Sequence, residues 1–336
     1  MNFFGLDIGS SSIKLIQVKK EDNDLSLQTA GEVDTPVSLS NANSDKEMKK
    51  LVKTVKDLKE DAGVTTNKVV GSLPESKVVS RLKWFPPMKE NEIRSALRFE
   101  AETFIPYPLD KVQLDYQIVD QDDDGRVLVF VVAAPNDVIN KYVDLSKRAN
   151  LDLISLETPA VALARYFSVN ELSTLIIDMA YNHSYFVACK SGQVYLTRTV
   201  PIGAKGFSRA ISLSLGLDEE EAESYRRAYG FQEDQLEGKV SKSMQPVWEK
   251  YVGNVKKTIL SFREDWGKDV EVIVLTGGGV MMPDFSEELT RTLGVEVQTA
   301  QPFSDVKIKT EPPFDIKKEG PRFAVAMGLA TRGLIE

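Results

Sequence analysis

The sequence holds 336 residues, 42% of them hydrophobic and 27% charged, with a formal net charge of −8. That length allows two sizeable cores, and the acidic balance argues against a nucleic-acid binder, which needs a basic face. A single cysteine, Cys189, excludes an internal disulfide framework and fits a reducing compartment, and a single histidine, His183, excludes a multi-histidine metal site.

The first eighteen residues carry the densest signal. They open without the basic and apolar regions of a secretory signal, and no apolar run in the chain approaches membrane-spanning length, so a cytosolic protein is expected. An apolar strand, 3–7, ends in Asp7. Gly9, Ser10, Ser11 and Ser12 follow as a glycine-hydroxyl turn, and Lys14 stands seven positions after Asp7 in a second strand reaching Val18. Backbone N–H groups in such a turn cradle phosphate, Lys14 adds a point positive charge, and Asp7 suits a metal held through its waters. A plain β-hairpin is the alternative. Beyond the turn Asp22-Asn23-Asp24 the spacing predicts a strand over 25–33. A capping box, Ser44 to Glu47, then opens a helix with Met48, Leu51, Val52, Val55 and Leu58 on one face and Gly63 past its end. A strand follows over 68–73.

A different unit is predicted from residue 76. It has a strand over 78–85 stopped by Pro86-Pro87, a helix over 90–104, and a hairpin of 111–119 with 126–134 across Asp122-Asp123-Asp124-Gly125. A helix from 136 to about 148 closes it. The order β-α-β-β-α makes a compact α+β module. Its segment Ile105-Pro106-Tyr107-Pro108-Leu109 is rigid and apolar, which fits either a loop capping the preceding helix or the wall of a binding groove.

A strand over 151–156 and a helix over 160–167, opened by Thr158-Pro159, lead into a second apolar strand, 173–178, that also ends in an aspartate, Asp178. A hairpin of 185–189 with 194–200 follows, in which Cys189 reads as a buried small hydrophobe. Strand, aspartate, polar turn and hairpin therefore occur twice, with the aspartates 171 residues apart (178 − 7 = 171). Two such halves would face each other across a cleft, with the aspartates at strand ends where ligands of open α/β sheets lie. Helices are predicted over 203–215, 218–229 and 245–266. In the second of these Glu223 and Arg226 share a face, fitting either the helix dipole or a joint ligand contact. A buried strand, 270–275, exits through Thr276-Gly277-Gly278-Gly279, where backbone can approach a ligand closely. A helix over 284–293, a strand over 295–298, a Pro-rich loop through Pro313 and a helix over 323–334 complete the chain.

The ordered set Asp7-Ile8-Gly9…Lys14, Glu157-Thr158-Pro159, Asp178…Ser184, Glu223…Arg226, Thr276-Gly277-Gly278-Gly279 and a closing small-residue helix resembles the actin, sugar-kinase and heat-shock-chaperone ATPase superfamily over essentially the whole chain. Within it, Glu92-Ile93…Phe99-Glu100-Ala101-Glu102…Ile105-Pro106-Tyr107-Pro108…Leu114-Asp115-Tyr116-Gln117 looks like the PilM family of type IV pilus assembly. So do Ala133-Ala134-Pro135 and 324–330. The resemblance implies an α/β, actin-like (ribonuclease-H-like) duplicated two-domain fold with an inserted subdomain of the kind found in FtsA and PilM. Residues 1–75 with 151–170 would form the first half, 76–150 the insert and 171–336 the second half, with the closing helix over 321–334 packing back on the first.

By the same resemblance the cofactors are ATP and Mg²⁺. Gly9, Ser10, Ser11 and Ser12 would wrap the phosphates, Lys14 would contact them, and Asp7 and Asp178 would orient Mg²⁺ from opposite sides. Ser184 would supply the hydroxyl of the second phosphate turn, Glu223 and Arg226 would lie by ribose and adenine, and Gly277, Gly278 and Gly279 would form the wall. Glu157 stands near the position that polarises water in hydrolysing relatives. The second turn departs from the superfamily's Asp-x-Gly: Ala180 adds a Cβ, and Tyr181 and His183 are bulky, so nucleotide binding is expected and hydrolysis is left open. The implied partner is the cytoplasmic N-terminal tail of a PilN-like membrane protein, docking near 104–109. Other inner-membrane pilus components are implied as well, at the inner face of the cytoplasmic membrane without direct insertion and with self-association open. A small-molecule kinase would need an acceptor base not found here. An FtsA-like filament protein would carry a membrane helix after its last core helix, where this sequence stops at Gly333-Leu334-Ile335-Glu336.

Overall fold

The computed structural model describes residues 2–22 and 24–335. Met1, Asn23 of the expected turn and Glu336 of the closing stretch lie outside the described residues. Strands β1 (Phe4–Ile8), β2 (Ser12–Glu21) and β3 (Asp24–Asp34) run as an antiparallel meander, and α1 (Asp45–Asp61) crosses to β4 (Lys68–Ser72), parallel to β1. The capping box on Ser44 is present, and all five apolar residues assigned to the inner face of α1 are buried.

The chain then leaves this sheet for β5 (Val79–Phe85), α2 (Glu90–Ala101), β6 (Val112–Gln121), β7 (Val127–Pro135) and α3 (Asn136–Ala149). It returns as β8 (Asp152–Glu157), alongside β4, and α4 (Pro159–Phe167). A second set follows: β9 (Thr174–Met179), β10 (Ser184–Lys190), β11 (Gln193–Val200), α5 (Ala204–Leu215), α6 (Glu219–Tyr229), α7 (Lys239–Trp266), β12 (Val272–Thr276), α8 (Phe285–Leu293) and β13 (Glu296–Thr299). Last come β14 (Val306–Ile308), α9 (Ile316–Glu319) and α10 (Ala324–Ala330).

The two large sheets have the orders β14-β3-β2-β1-β4-β8 and β11-β10-β9-β12-β13. With β14 set aside, both read third, second, first, fourth, fifth. The repeat heralded by the two aspartates is thus a repeat of topology, with β1 and β9 at equivalent places. β14 falls in the stretch read as a Pro-rich loop, because three residues are too few to show a period. α7 begins at Lys239, six residues before the predicted start, so that Pro246 lies inside the helix.

The third sheet has the order β5-β7-β6. Alternate residues of its central strand face opposite ways. Val127, Val129 and Val131 pack under Ile93 and Leu97 of α2, while Leu128 and Phe130 join clusters shared with β9 and β10. That double burial explains the unbroken apolar run of β7. β5 also reaches β11, where the Ser80 and Thr197 hydroxyls lie 2.8 Å apart.

α10 is buried along its whole length and packs on β1, β2, β4 and α4. The approach is backbone to backbone: a Cβ on Gly328 would sit 2.2 Å from the Ala162 carbonyl oxygen, and one on Gly5 would sit 2.4 Å from that of Ala326. Backbone cannot swing aside as a side chain can, so Gly328→Ala should destabilise the protein by about 3 kcal/mol through overpacking. Chemical denaturation checks this, and an unchanged midpoint would mean that α10 is not seated as described.

Candidate functional site

Asp7 and Asp178 occupy the same place in their respective sheets. Asp7 on β1 is registered with Lys14 on β2, and Asp178 on β9 with Tyr185 on β10. Directly opposed residues share a face, so Lys14 stands beside Asp7 and Tyr185 beside Asp178. Burial raises the Asp7 carboxyl above its ordinary range, with Lys14 opposing. Burial, and then the charge of Asp7, push Asp178 up to about 6, against the Thr276 hydroxyl and Lys14. The Thr276 hydroxyl donates to Asp178 Oδ1 at 3.2 Å. The carboxylates of the two halves therefore sense each other.

This donor set fits Mg²⁺. Two like charges held together in a buried place are relieved by a divalent cation, and Mg²⁺ binds through one or two carboxylates while keeping most of its waters. Among the described residues no group of three or more histidines, cysteines or acidic residues forms a closed metal cage.

The first turn is pinned from outside. Gly9 N–H donates to the Ser12 carbonyl at 3.0 Å, and a Cβ on Gly9 would lie 2.8 Å from that oxygen. Thr35 occupies the carbonyls of Gly9 and Ser11 through its hydroxyl and its N–H, both at 2.9 Å. Ser10 and Ser11 are exposed and Ser12 is buried. Lys14 Nζ donates to Ser12 Oγ at 2.5 Å and pairs with Glu32 of β3 at 3.3 Å. Glu32 in turn accepts from Arg322 at 2.5 Å. Sequence reasoning missed Thr35, Glu32 and Arg322, since nothing local marks residues that act across strands.

The second turn is closed by the equivalent bond, Ala180 N–H donating to the His183 carbonyl, but is pinned differently: the carbonyls of Ala180 and Tyr181 accept from the first N–H groups of α5, those of Ala204 and Lys205. Gly203 permits this, because a Cβ there would sit 2.6 Å from the Ala180 oxygen. Ser184 is fully buried and donates its hydroxyl to the Ile202 carbonyl at 2.7 Å, so that hydroxyl is engaged inside the fold rather than offered to a phosphate.

At the exit of β12, Gly277 has φ +85°, and a Cβ on it would lie 2.4 Å from Asp178 Oδ1. A Cβ on Gly279 would lie 2.4 Å from Met179 Cγ, whereas Gly278 has only the Arg322 side chain near it, at 3.5 Å. The glycines at 277 and 279 thus let the wall pack against the strand end that carries Asp178.

Glu223 and Arg226 come together with Ser208. Arg226 is buried and donates to Glu223 Oε1 at 2.7 Å, to Ser208 Oγ at 3.1 Å and to the Gly279 carbonyl at 3.4 Å. Burial alone would raise the Glu223 carboxyl, but Arg226, Ser208 and Arg227 outweigh it and hold it down to about 2. The expected direct ligand contact by Arg226 is therefore replaced by a tie between Glu223 and the glycine wall.

Glu157 also departs from expectation. Its carboxylate takes a bidentate pair from Arg165, at 2.8 and 3.0 Å, and a further contact from Arg332, and Arg165 donates to the Gly328 carbonyl at 2.9 Å. Both oxygens are occupied by guanidinium groups, which makes Glu157 a clamp between α4 and the last residues of the chain. Removing one partner of a buried pair typically costs about 3–5 kcal/mol, so Glu157→Gln should lower stability by an amount in that range. A change below about 1 kcal/mol in denaturant unfolding would show that the clamp carries no load.

Glu75, just past β4, was not singled out from sequence. Its only local mark is the pairing with Pro74 after an apolar strand. The residue is buried, one carboxyl oxygen accepts the N–H of Ala160 in the first turn of α4, and Oε2 has no partner among the described residues. Burial raises this carboxyl from 4.5 to about 7. Burial, then the charges of Asp178, Glu75 and Asp7, raise the Tyr185 phenol, so Glu75 acts on the same side chain as the two aspartates. A carboxyl raised on folding contributes stability that is complete below about pH 4.5 and is lost as pH climbs through about 7. Over that window the loss amounts to about 3 kcal/mol. Glu75→Gln should remove it, so the stability of the variant relative to wild type should grow from pH 4.5 to 7.5. Denaturant unfolding across that range tests this, and a pH-independent difference would refute it.

The family model for the type IV pilus assembly protein PilM matches residues 5–334. Among solved structures, a chain of the PilM–PilN type IV pilus biogenesis complex superposes with TM-score 0.84 at 27% identity, covering 99% of both chains. The ethanolamine utilization protein EutJ from Carboxydothermus hydrogenoformans gives 0.60 at 17% identity, covering 98% of this chain and 89% of that one. MreB5 of Spiroplasma citri bound to AMPPNP gives 0.53 at 12% identity, covering 97% and 94%. The fold is thus the actin-like two-domain fold expected from the sequence.

Proposed function

The chain belongs to the PilM family of type IV pilus assembly proteins, and on that premise we propose that it is a nucleotide-binding scaffold that grips the N-terminal tail of a PilN-like membrane protein. The observation that carries this is full-length similarity to a chain of the PilM–PilN complex, over 99% of both chains at 27% identity. No helix of the described residues is long and apolar enough to cross a membrane, so the partner tail would hold the protein at the inner face of the cytoplasmic membrane.

The proposed nucleotide is ATP, lying between the two halves. The Gly9–Ser12 turn and Lys14 would take its phosphates, Asp7 and Asp178 would hold the waters of Mg²⁺, Glu223 would receive the ribose, and the turn at Gly277 to Gly279 would back the base. Bound Mg²⁺ would supply charge neutralisation for the phosphates and for the two aspartates. Because ligands join the two walls, occupancy would set the angle between the halves, a hinge change of modest energy. The kinase reading lacks an acceptor base, and neither it nor the filament reading draws support from the matched family.

The proposed docking element for the tail is the segment between α2 and β6. Ile105 there is buried, anchoring the segment, while Tyr107 is 42% exposed and Phe99 on α2 is 78% exposed. Apolar anchors flanked by rigid proline backbone suit an extended peptide. A synthetic PilN N-terminal peptide should bind the full chain in a calorimetric titration, and Tyr107→Ala should weaken it by about tenfold, the loss of one apolar anchor. Absence of any binding by the wild-type chain would overturn the scaffold reading.

A further inference from the structure

We propose that Glu32 is an internal competitor for the nucleotide phosphates: it holds Lys14 and Arg322, one cation from each wall of the cleft, and releases both when a nucleoside polyphosphate enters. The inference rests on the nucleotide-binding reading above and concerns residues outside the expected phosphate turns.

Asp7, Lys14 and Glu32 are in register across β1, β2 and β3, so the three side chains form a ladder of alternating charge on one face of the sheet. Glu32 Oε1 receives both Lys14 Nζ, at 3.3 Å, and Arg322 Nη2, at 2.5 Å. The Ser12 hydroxyl of the first turn contacts the same carboxylate. Arg322 belongs to the opposite wall: its stem lies along Gly278, and the neighbouring Pro321 carbonyl accepts the Gly277 N–H at 2.9 Å. One carboxylate oxygen therefore sits where a phosphate oxygen would meet the same lysine, the same turn hydroxyl and an arginine from the glycine side.

The side chains of Glu32, Lys14 and Arg322 are 17%, 11% and 27% exposed, buried enough for their charges to matter and open enough for an anion to reach them. Burial alone would raise the Glu32 carboxyl, but Lys14, Ser12 and Arg322 together hold it below its ordinary range, so it is charged whenever the cleft is empty. Arg322 is also shared with Glu319, which keeps the guanidinium near the wall when it leaves Glu32. A guanidinium delivered in this way adds a bidentate phosphate contact that Lys14 alone cannot make.

A static salt bridge and an internal competitor predict opposite effects on affinity. If the bridge only shapes the site, Glu32→Gln leaves MgATP affinity unchanged or weaker. If Glu32 competes, the same variant frees two cations and tightens binding. The experiment is calorimetric titration of the full chain with MgATP and, separately, with inorganic tripolyphosphate. The wild type is compared with Glu32→Gln, Glu32→Asp, Arg322→Ala and the triple variant that adds Lys14→Ala and Arg322→Ala to Glu32→Gln. We expect Glu32→Gln to bind both ligands about tenfold tighter than wild type, with the gain shrinking as salt is raised. Glu32→Asp should move the same way by less, Arg322→Ala should bind more weakly, and the triple variant should lose the gain.

Wild-type binding of MgATP with no tightening in Glu32→Gln or Glu32→Asp overturns the competitor role and leaves the nucleotide reading intact. Binding of MgATP by neither the wild type nor any Glu32 variant overturns the nucleotide reading, and this inference with it. Two Glu32 replacements guard against one that fails to fold, which a thermal melt of each protein would reveal.

Discussion

Two carboxylates from different halves of the chain are held in a buried place, close enough for the charge of Asp7 to oppose the ionisation of Asp178. Asp7 and Asp178 meet because one β-topology is used twice and the copies face each other, so the repulsion is built into the duplication. Several neighbours offset that cost. Lys14 stands beside Asp7, Thr276 donates to Asp178, and a glycine at 277 leaves the space that Asp178 needs. A pair of this kind is poor as structure and good as a receptor for a hydrated divalent cation.

The two jaws of the cleft are not equivalent in charge. The first carries the ladder Asp7, Lys14, Glu32 and borrows Arg322 from the far wall. The second offers no cation in the same register: its partner to Asp178 is Tyr185, and its turn carbonyls are spent on the first N–H groups of α5. Ser184, which stands opposite Met179 as Ile13 stands opposite Ile8, is sealed inside, and His183 takes the place of Ser12. Positive charge is thus concentrated on one side, and in the proposed nucleotide complex the phosphates would rest on Lys14, the Gly9 turn and Arg322.

What was legible in the sequence was what local pattern encodes. The apolar strands ending in Asp7 and Asp178, the capping box of α1 and the repeat at half the chain length all rest on periodicity or spacing. The glycines at 9, 277 and 279 were read as room for a ligand, and a Cβ at each would meet the protein's own Ser12, Asp178 or Met179. What was not legible was partnership. Glu157 reads as a candidate base until Arg165 and Arg332, 8 and 175 residues away in the chain, are seen to occupy both its oxygens. Arg226 reads as a ligand contact until its burial against Ser208 and Gly279 is seen. Glu75 and Glu32 sit in strands and turns with no motif around them, and their roles come from what other elements place opposite them. β14 was missed for a related reason: three residues become a strand only because β3 offers an edge.

The contacts that join the halves differ in stiffness, and that difference bears on how a ligand can move them. At α4 and α10 the approach is backbone to backbone, with Gly328 against Ala162, and it is reinforced by a buried carboxylate between two arginines. Sliding such a contact by even a fraction of an ångström meets steep repulsion. Across the cleft mouth, by contrast, the link between Glu32 and Arg322 is a partly exposed ion pair between a flexible guanidinium stem and a strand. Such a pair can exchange its carboxylate for another anion by side-chain movement alone. Relative motion of the halves is therefore resisted where the chain's end is locked to α4 and is cheapest where the proposed phosphates would enter. Under the proposed function, nucleotide occupancy would register as a change of angle without disturbing either core.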